Sequence, residues 1–181
     1  TVKATGKKSD TVILGEFDPD SESGIGDAAM RCIRIDANDN TPVVISGFTI
    51  TGGACKTSDN NSTGYAGGVM AGSHRTFIVD CVISNCVGAR GGASYGGTLV
   101  RCLLTGNGST TKAAVNYRGC LVNCVVTHNR VKGNAVNQST CVNCTFDDNS
   151  GIVAAELEDC CTCVVDSLTA NVLPRVCALR V

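Results

Sequence analysis

Between residues 100 and 146 the chain repeats one alternation of apolar and polar positions: Val100-Arg101-Cys102-Leu103-Leu104, Val122-Asn123-Cys124-Val125-Val126 and Val142-Asn143-Cys144-Thr145-Phe146. A period of two over five residues marks a strand with one buried face, here predicted to carry the Val, the Cys and the second apolar residue. The phrase recurs at 79–86 as VDCVISNC and, in part, at 162–168 as TCVVDSL. Its central cysteines, Cys81, Cys102, Cys124, Cys144 and Cys163, lie 21, 22, 20 and 19 residues apart. Five residues after the Cys stand Asn107, Asn129 and Asn149, with Cys86 in the first copy. Asn tolerates the left-handed backbone of a sharp corner, so a turn is expected at each.

Each unit continues through a small, weakly apolar piece: Gly92-Ala93-Ser94, Ala113-Ala114-Val115, Asn134-Ala135-Val136, Val153-Ala154-Ala155. A unit of roughly 20 residues with short strands and no helix has nothing of its own to bury its apolar face against. Stacking removes the difficulty, because parallel pairing between successive windings aligns like residues about 4.8 Å apart and satisfies the backbone along the axis. The expected fold is therefore an all-β parallel β-helix, a single domain over 1–181 of roughly seven or eight coils. Looser earlier turns are read at Thr11–Leu14, Met30–Ile35 and Val44–Ile50. The long step from Gly47 to Cys81 is assigned to a polar loop at Lys56–Gly64, and 172–181, with Pro174 breaking the repeat, to a C-terminal cap.

Composition fits a narrow interior: 4% aromatics, no tryptophan, 21 glycines and three prolines in 181 residues. Net charge is −1 and no basic cluster is interleaved with aromatics, which argues against a nucleic-acid surface. No apolar run reaches membrane-span length, and the first residues, TVKATGKKSD, lack the apolar core of a signal peptide, as a mature or excised segment would. Thirteen cysteines include CVNC at 141–144 and CCTC at 160–163, nominally a zinc spacing. Membership of Cys144 and Cys163 in the longer repeat favours buried thiols instead. The central five are expected to be stacked and reduced. Cys86, Cys120, Cys141, Cys160, Cys161 and Cys177 are taken as peripheral and better placed for bridges.

The phrases ISGFTITGG (45–53), YAGGVMAG (65–72), VDCVISNC and ARGGASYGG (89–97) resemble the right-handed parallel β-helix superfamily typified by pectate lyases. In repeat style they are still more similar to polymorphic outer-membrane proteins and related bacterial surface proteins. The resemblance spans about residues 30–170 and implies a right-handed solenoid. It implies no single activity, since lyases, hydrolases, adhesins and passenger domains share the architecture. A regular F-x-x-N is missing from the turns, and no stretch matches the lyases' calcium-binding aspartates and catalytic arginine.

Offsets from the central Cys predict the outward columns. One residue before it stand Asp80 and Arg101, neighbours on adjacent coils that are expected to pair. Three and four residues after it, Asp147, Asp148 and Asp166 are expected to gather near His128, the chain's most suggestive chemistry: clustered carboxylates can share a proton, bind calcium or cleave a glycosidic bond. Charge clusters are also what a solvated face presents. Asp18, Asp20 and Glu22 alternate as in a calcium loop, but the glycine falls one place late and no glutamate closes the loop. Catalytic-triad, phosphate-loop and dinucleotide signatures are absent. No cofactor other than calcium is suggested. The expectation is a non-catalytic extracellular or cell-surface rod, structural or adhesive, with a glycan or another surface protein as partner. The alternative is a polysaccharide-active lyase or glycoside hydrolase whose groove lies over 127–166.

Overall fold

The structure is a computed structural model and describes residues 1–36, 41–57, 63–155, 160–161, 163–165 and 179–180. Among these there is no α-helix, only one 3-10 turn at Lys8–Asp10. Three sheets run along the axis of a β-solenoid. The first is formed in order by Val2–Lys3, Val43–Ser46, Thr76–Val79, Thr98–Val100, Cys120–Val122, Thr140–Val142 and Cys160–Cys161. The second runs from Val12–Leu14 through Thr49–Thr51, Val82–Ser84, Leu103–Thr105, Val125–Thr127, Thr145–Asp147 and Cys163–Val165 to Leu179–Arg180. The third takes Ile33–Ile35, Val69–Ala71, Ser94–Tyr95, Gly108–Tyr117, Arg130–Asn137 and Ser150–Ala155, with Val87–Arg90 beside the long strand. Every pairing between named strands is parallel; for instance Leu99 is in register with Ile78 and Leu121, and Leu104 with Ile83 and Val126.

The repeat is real, but its strand is not one strand. Asp80, Arg101, Asn123 and Asn143 have φ of +54°, +52°, +54° and +51°, and Gly47 precedes them in the column at +82°. The chain therefore turns one residue before each central cysteine, passing from the first sheet to the second. A left-handed residue interrupts the alternation, so the inward residue of the first sheet is three before the Cys: Ile78, Leu99, Leu121 and Cys141 are fully buried, while Val79, Val100 and Val122 are half-buried. The expected inward Val is thus corrected. Cys141, and likewise Cys86, are interior rather than peripheral, both fully buried.

The second corner is also displaced by one. Asn85, Gly106, His128 and Asp148 carry the positive φ, not the asparagines that follow. Asn107, Asn129 and Asn149 are interior and form a ladder along the axis. Asn129 Oδ1 accepts from the Asn107 backbone N–H at 2.9 Å and from Asn107 Nδ2 at 3.1 Å; Asn149 Oδ1 accepts from the same two groups of Asn129 at 3.1 and 2.8 Å. Each Nδ2 also donates to a carbonyl one coil away, on Ile83, Leu104 and Val126. A left-handed non-glycine residue costs roughly 1–2 kcal/mol; the adjacent ladder, by hydrogen-bonding across successive coils at the corner, offsets that cost.

Cys81, Cys102, Cys124 and Cys144 stack at the first corner, buried and unbridged. Their thiols donate to carbonyls two residues back and one coil away, as Cys102 does to Val100 at 3.5 Å and Ile78 at 3.3 Å. Cys163 begins the next strand of the second sheet; its side chain, like Asp166 and Cys177, lies outside the described residues, as does most of 172–181. Leu179–Arg180 pairs in parallel with Cys163–Val164, continuing the sheet. Of the predicted loop at 56–64, residues 58–62 are not described. Val12–Leu14 and Ile33–Ile35 belong to different sheets rather than to successive copies of one strand, because residues 15–30 leave the stack between them.

Candidate functional site

The excursion at 15–30 borders a concavity on the solenoid flank. Asp18 organises it: Oδ1 accepts the Asp20 N–H at 2.9 Å and Oδ2 the Ala28 N–H at 3.1 Å, while Asp18 N–H donates to Gly24 O at 2.9 Å. Both carboxylate oxygens are thus turned inward to hold the loop's own backbone, the role expected of Asp in a turn. Ile25 then pins the loop to the solenoid flank, buried against Cys55, Ala89 and Val87. Beyond that anchor the loop tip, Ser21-Glu22-Ser23, walls off a lateral groove of about 830 Å³. Its floor is the column Val87, Gly108, Arg130 and Ser150, one residue from each successive coil of the third sheet. Gly108, with no side chain, deepens that column.

Glu22 on the wall and Arg130 on the floor are its charged groups, and neither has an ion-pair partner among the described residues. The buried hydroxyls of Ser109 and Thr110 along the same strand have no hydrogen-bond partner among the described residues. A volume of several hundred Å³, set on a rigid sheet, is the usual size for binding a drug-sized ligand or a few sugar units. Gly108 is the aperture. A Cβ there would meet nothing nearer than 3.7 Å and the residue is not left-handed, so its smallness keeps the groove open without being needed by the backbone.

Of the carboxylates expected near His128, the structure brings Asp148 to it, and Asp166 lies outside the described residues. His128 Nε2 lies 3.2 Å from Asp148 Oδ2, with the two side chains 63% and 73% exposed, and His128 Nδ1 is 2.7 Å from Thr127 Oγ1. Asp147 sits on the neighbouring strand, in register with Thr127 and hence in the outward column of Ser84, Thr105 and Thr127. This is a solvated corner pair beside a single carboxylate. Among the described residues no group of three or more His, Cys, Asp or Glu converges as a metal site would, at 18–22 or elsewhere. Asp80 and Arg101 do pair, in a bidentate contact at 2.8 Å for both bonds, and the guanidinium holds the Asp80 carboxyl below its ordinary range.

A second surface feature had no signal in the repeat. Tyr65 and Tyr95 stack with ring centroids 4.1 Å apart and planes 3° from parallel, and Tyr117 continues the column at 5.7 Å. Arg90 donates to the Tyr117 hydroxyl at 2.9 Å, and Arg90 and Arg118 lie over the Tyr117 ring at 5.1 and 5.4 Å. The stacked rings, with Tyr117 buried at one end, brace adjacent coils against one another.

No protein-family model, no curated protein and no solved structure matches the chain.

Proposed function

We propose that this chain is a non-catalytic solenoid of an extracellular or cell-surface protein that holds a glycan in the lateral groove between the 21–23 loop tip and the Gly108–Arg130–Ser150 column. The observation carrying the reading is the groove itself: an open trough of about 830 Å³ whose floor is built of regularly spaced coils and whose lining offers serine and threonine residues, Arg130 and Glu22. An extended polymer of hydroxyl-bearing units fits a floor with a repeat of about 4.8 Å better than a compact molecule does. Binding is favoured over turnover because hydrolysis of a glycosidic bond takes two facing carboxyl groups. Glu22 is the single carboxylate among the described lining residues, and Asp147 and Asp148 lie outside the lining.

The test is calorimetric binding to a panel of neutral and acidic oligosaccharides, with a reducing-end assay run in parallel. Gly108→Leu fills the groove at a site with room for a side chain and should abolish binding while leaving the thermal transition in place. Arg130→Ala should weaken binding at least tenfold. Asp147→Asn with Asp148→Asn should change nothing. Binding that survives Gly108→Leu, or cleavage of any oligosaccharide that the Asp variants suppress, would overturn the reading.

A further inference from the structure

The asparagine ladder ends on its N-terminal side at Cys86, whose backbone N–H donates to Asn107 Oδ1 at 3.1 Å. In the next coil the equivalent position is Gly53, since Ala54 bridges Val87 in parallel. Gly53 has no side chain to continue the column, and none would fit: a Cβ there would lie 2.2 Å from the Gly67 carbonyl oxygen and 2.6 Å from Cys32 Sγ. The thiol of Cys32, entering from the third sheet's side, occupies the vacated place and donates to Thr51 O at 3.2 Å. The Cys32 thiol therefore enters the column at the Gly53 position, one coil from Cys86, and the two side chains are hydrogen-bonded, although 54 residues separate them in sequence.

We infer that Cys32 and Cys86 form a disulfide site, a covalent clasp that joins the first windings of the solenoid to the asparagine ladder when the chain meets a disulfide oxidant. The pair has the asymmetry such chemistry uses. Cys32 is half-buried, whereas Cys86 is fully enclosed. The hydrogen bond between them lowers the Cys32 pKa, with burial opposing, and raises that of Cys86 well above its ordinary value, with burial adding to the rise. Cys32 is thus the attacking thiolate. It displaces one thiolate from a small disulfide RSSR to give a Cys32–S–S–R mixed disulfide. The Cys86 thiol then loses its proton to the medium, attacks the Cys32 sulfur and expels the second RS⁻. Overall, two protein thiols and RSSR become one protein disulfide and two RSH, with two electrons passing to the oxidant.

The cysteines stacked at the first corner do not compete. Cys81, Cys102, Cys124 and Cys144 are buried in register with their side chains pointing alike, which disfavours the near-perpendicular dihedral a disulfide needs. The experiment is incubation of the intact chain with oxidised glutathione, alkylation of free thiols after unfolding, and peptide mapping. The expected result is one cross-linked species joining the peptides of Cys32 and Cys86, with Cys81, Cys102, Cys124 and Cys144 alkylated. The melting temperature should rise by several degrees on oxidation and fall back with reductant. Cys32→Ser, at a half-exposed site that should fold, should abolish both effects; Cys86→Ala is the second variant. Persistence of glutathione on Cys32, bridging of Cys32 to any other cysteine, or an oxidised protein melting where the reduced one does would overturn the inference.

Discussion

Asn129→Ala tests whether the buried ladder, rather than apolar packing alone, holds the coils in register. The substitution deletes the acceptor for the Asn107 backbone N–H, at 2.9 Å, and the donor to the Leu104 carbonyl, also at 2.9 Å, in a region where Asn107 and Asn129 are no more than 1% exposed. Stranding one buried N–H costs about 1–3 kcal/mol and losing the further bonds adds to it, so the expected destabilisation is about 2–5 kcal/mol, against a total of about 5–15 kcal/mol for a typical domain. Asn129→Asp sharpens the test. It keeps an acceptor for Asn107 but sets a carboxylate against three oxygens, those of Leu104, Thr127 and Asn149. Repulsion and burial both raise the folded-state pKa of the new carboxyl above its unfolded value of about 4. A raised pKa gives stability that is present below the unfolded value and lost as pH climbs through the folded one. Asn129→Asp should therefore be closest to wild type near pH 3 and worst at neutrality. Urea unfolding followed by circular dichroism, with the exposed Arg101→Ala as control, measures both. If Asn129→Ala costs no more than the control, or the Asp variant shows no pH dependence beyond that of wild type, the ladder is ornamental.

Two further outcomes follow from the interior. Cys124 has its pKa pushed from 9.0 up to about 12, first by its hydrogen bond with Cys102 and then by burial, against a lowering contribution from Cys144. The folded state keeps that proton while the unfolded chain loses it, so stability is unaffected below pH 9 and falls by about 1.4 kcal/mol per pH unit between 9 and 12. Denaturation curves under reductant should show that slope diminished by about one proton in Cys124→Ala, and superimposable pH profiles would contradict the burial of the thiol. Gly53→Ala should cost about 1–3 kcal/mol or more, because its Cβ would meet backbone at 2.2 Å, whereas Gly108→Ala, with nothing nearer than 3.7 Å, should melt with wild type. Equal melting temperatures for the two alanine variants would refute the close approach at Gly53.

What the sequence reveals and what it hides divides along the range of the interactions. The period is written in the cysteines because each coil must place a small side chain at the same narrow corner, and that demand recurs every winding. The parallel stack is legible from it. The inward face is not, because Val100-Arg101-Cys102 reads as simple alternation whether Arg101 is extended or, as here, left-handed at φ +52°. A single αL residue swaps the sense of everything before it while leaving the hydrophobic pattern intact. The glycine at 47 in the same column was the available clue, since glycine is the residue that adopts that conformation without penalty. Asparagine misled for a related reason: its side chain suits both a corner and a buried ladder, and only the fully buried environment of Asn107 decides for the ladder. The groove and the thiol pair carry no local signal at all. One depends on Ile25 reaching Ala89 across more than 60 residues, the other on Cys32 filling the space left by an absent side chain at Gly53. In a solenoid the repeated positions specify the scaffold, and the distinctive chemistry sits where the repeat is broken, at a missing Cβ or an inserted loop.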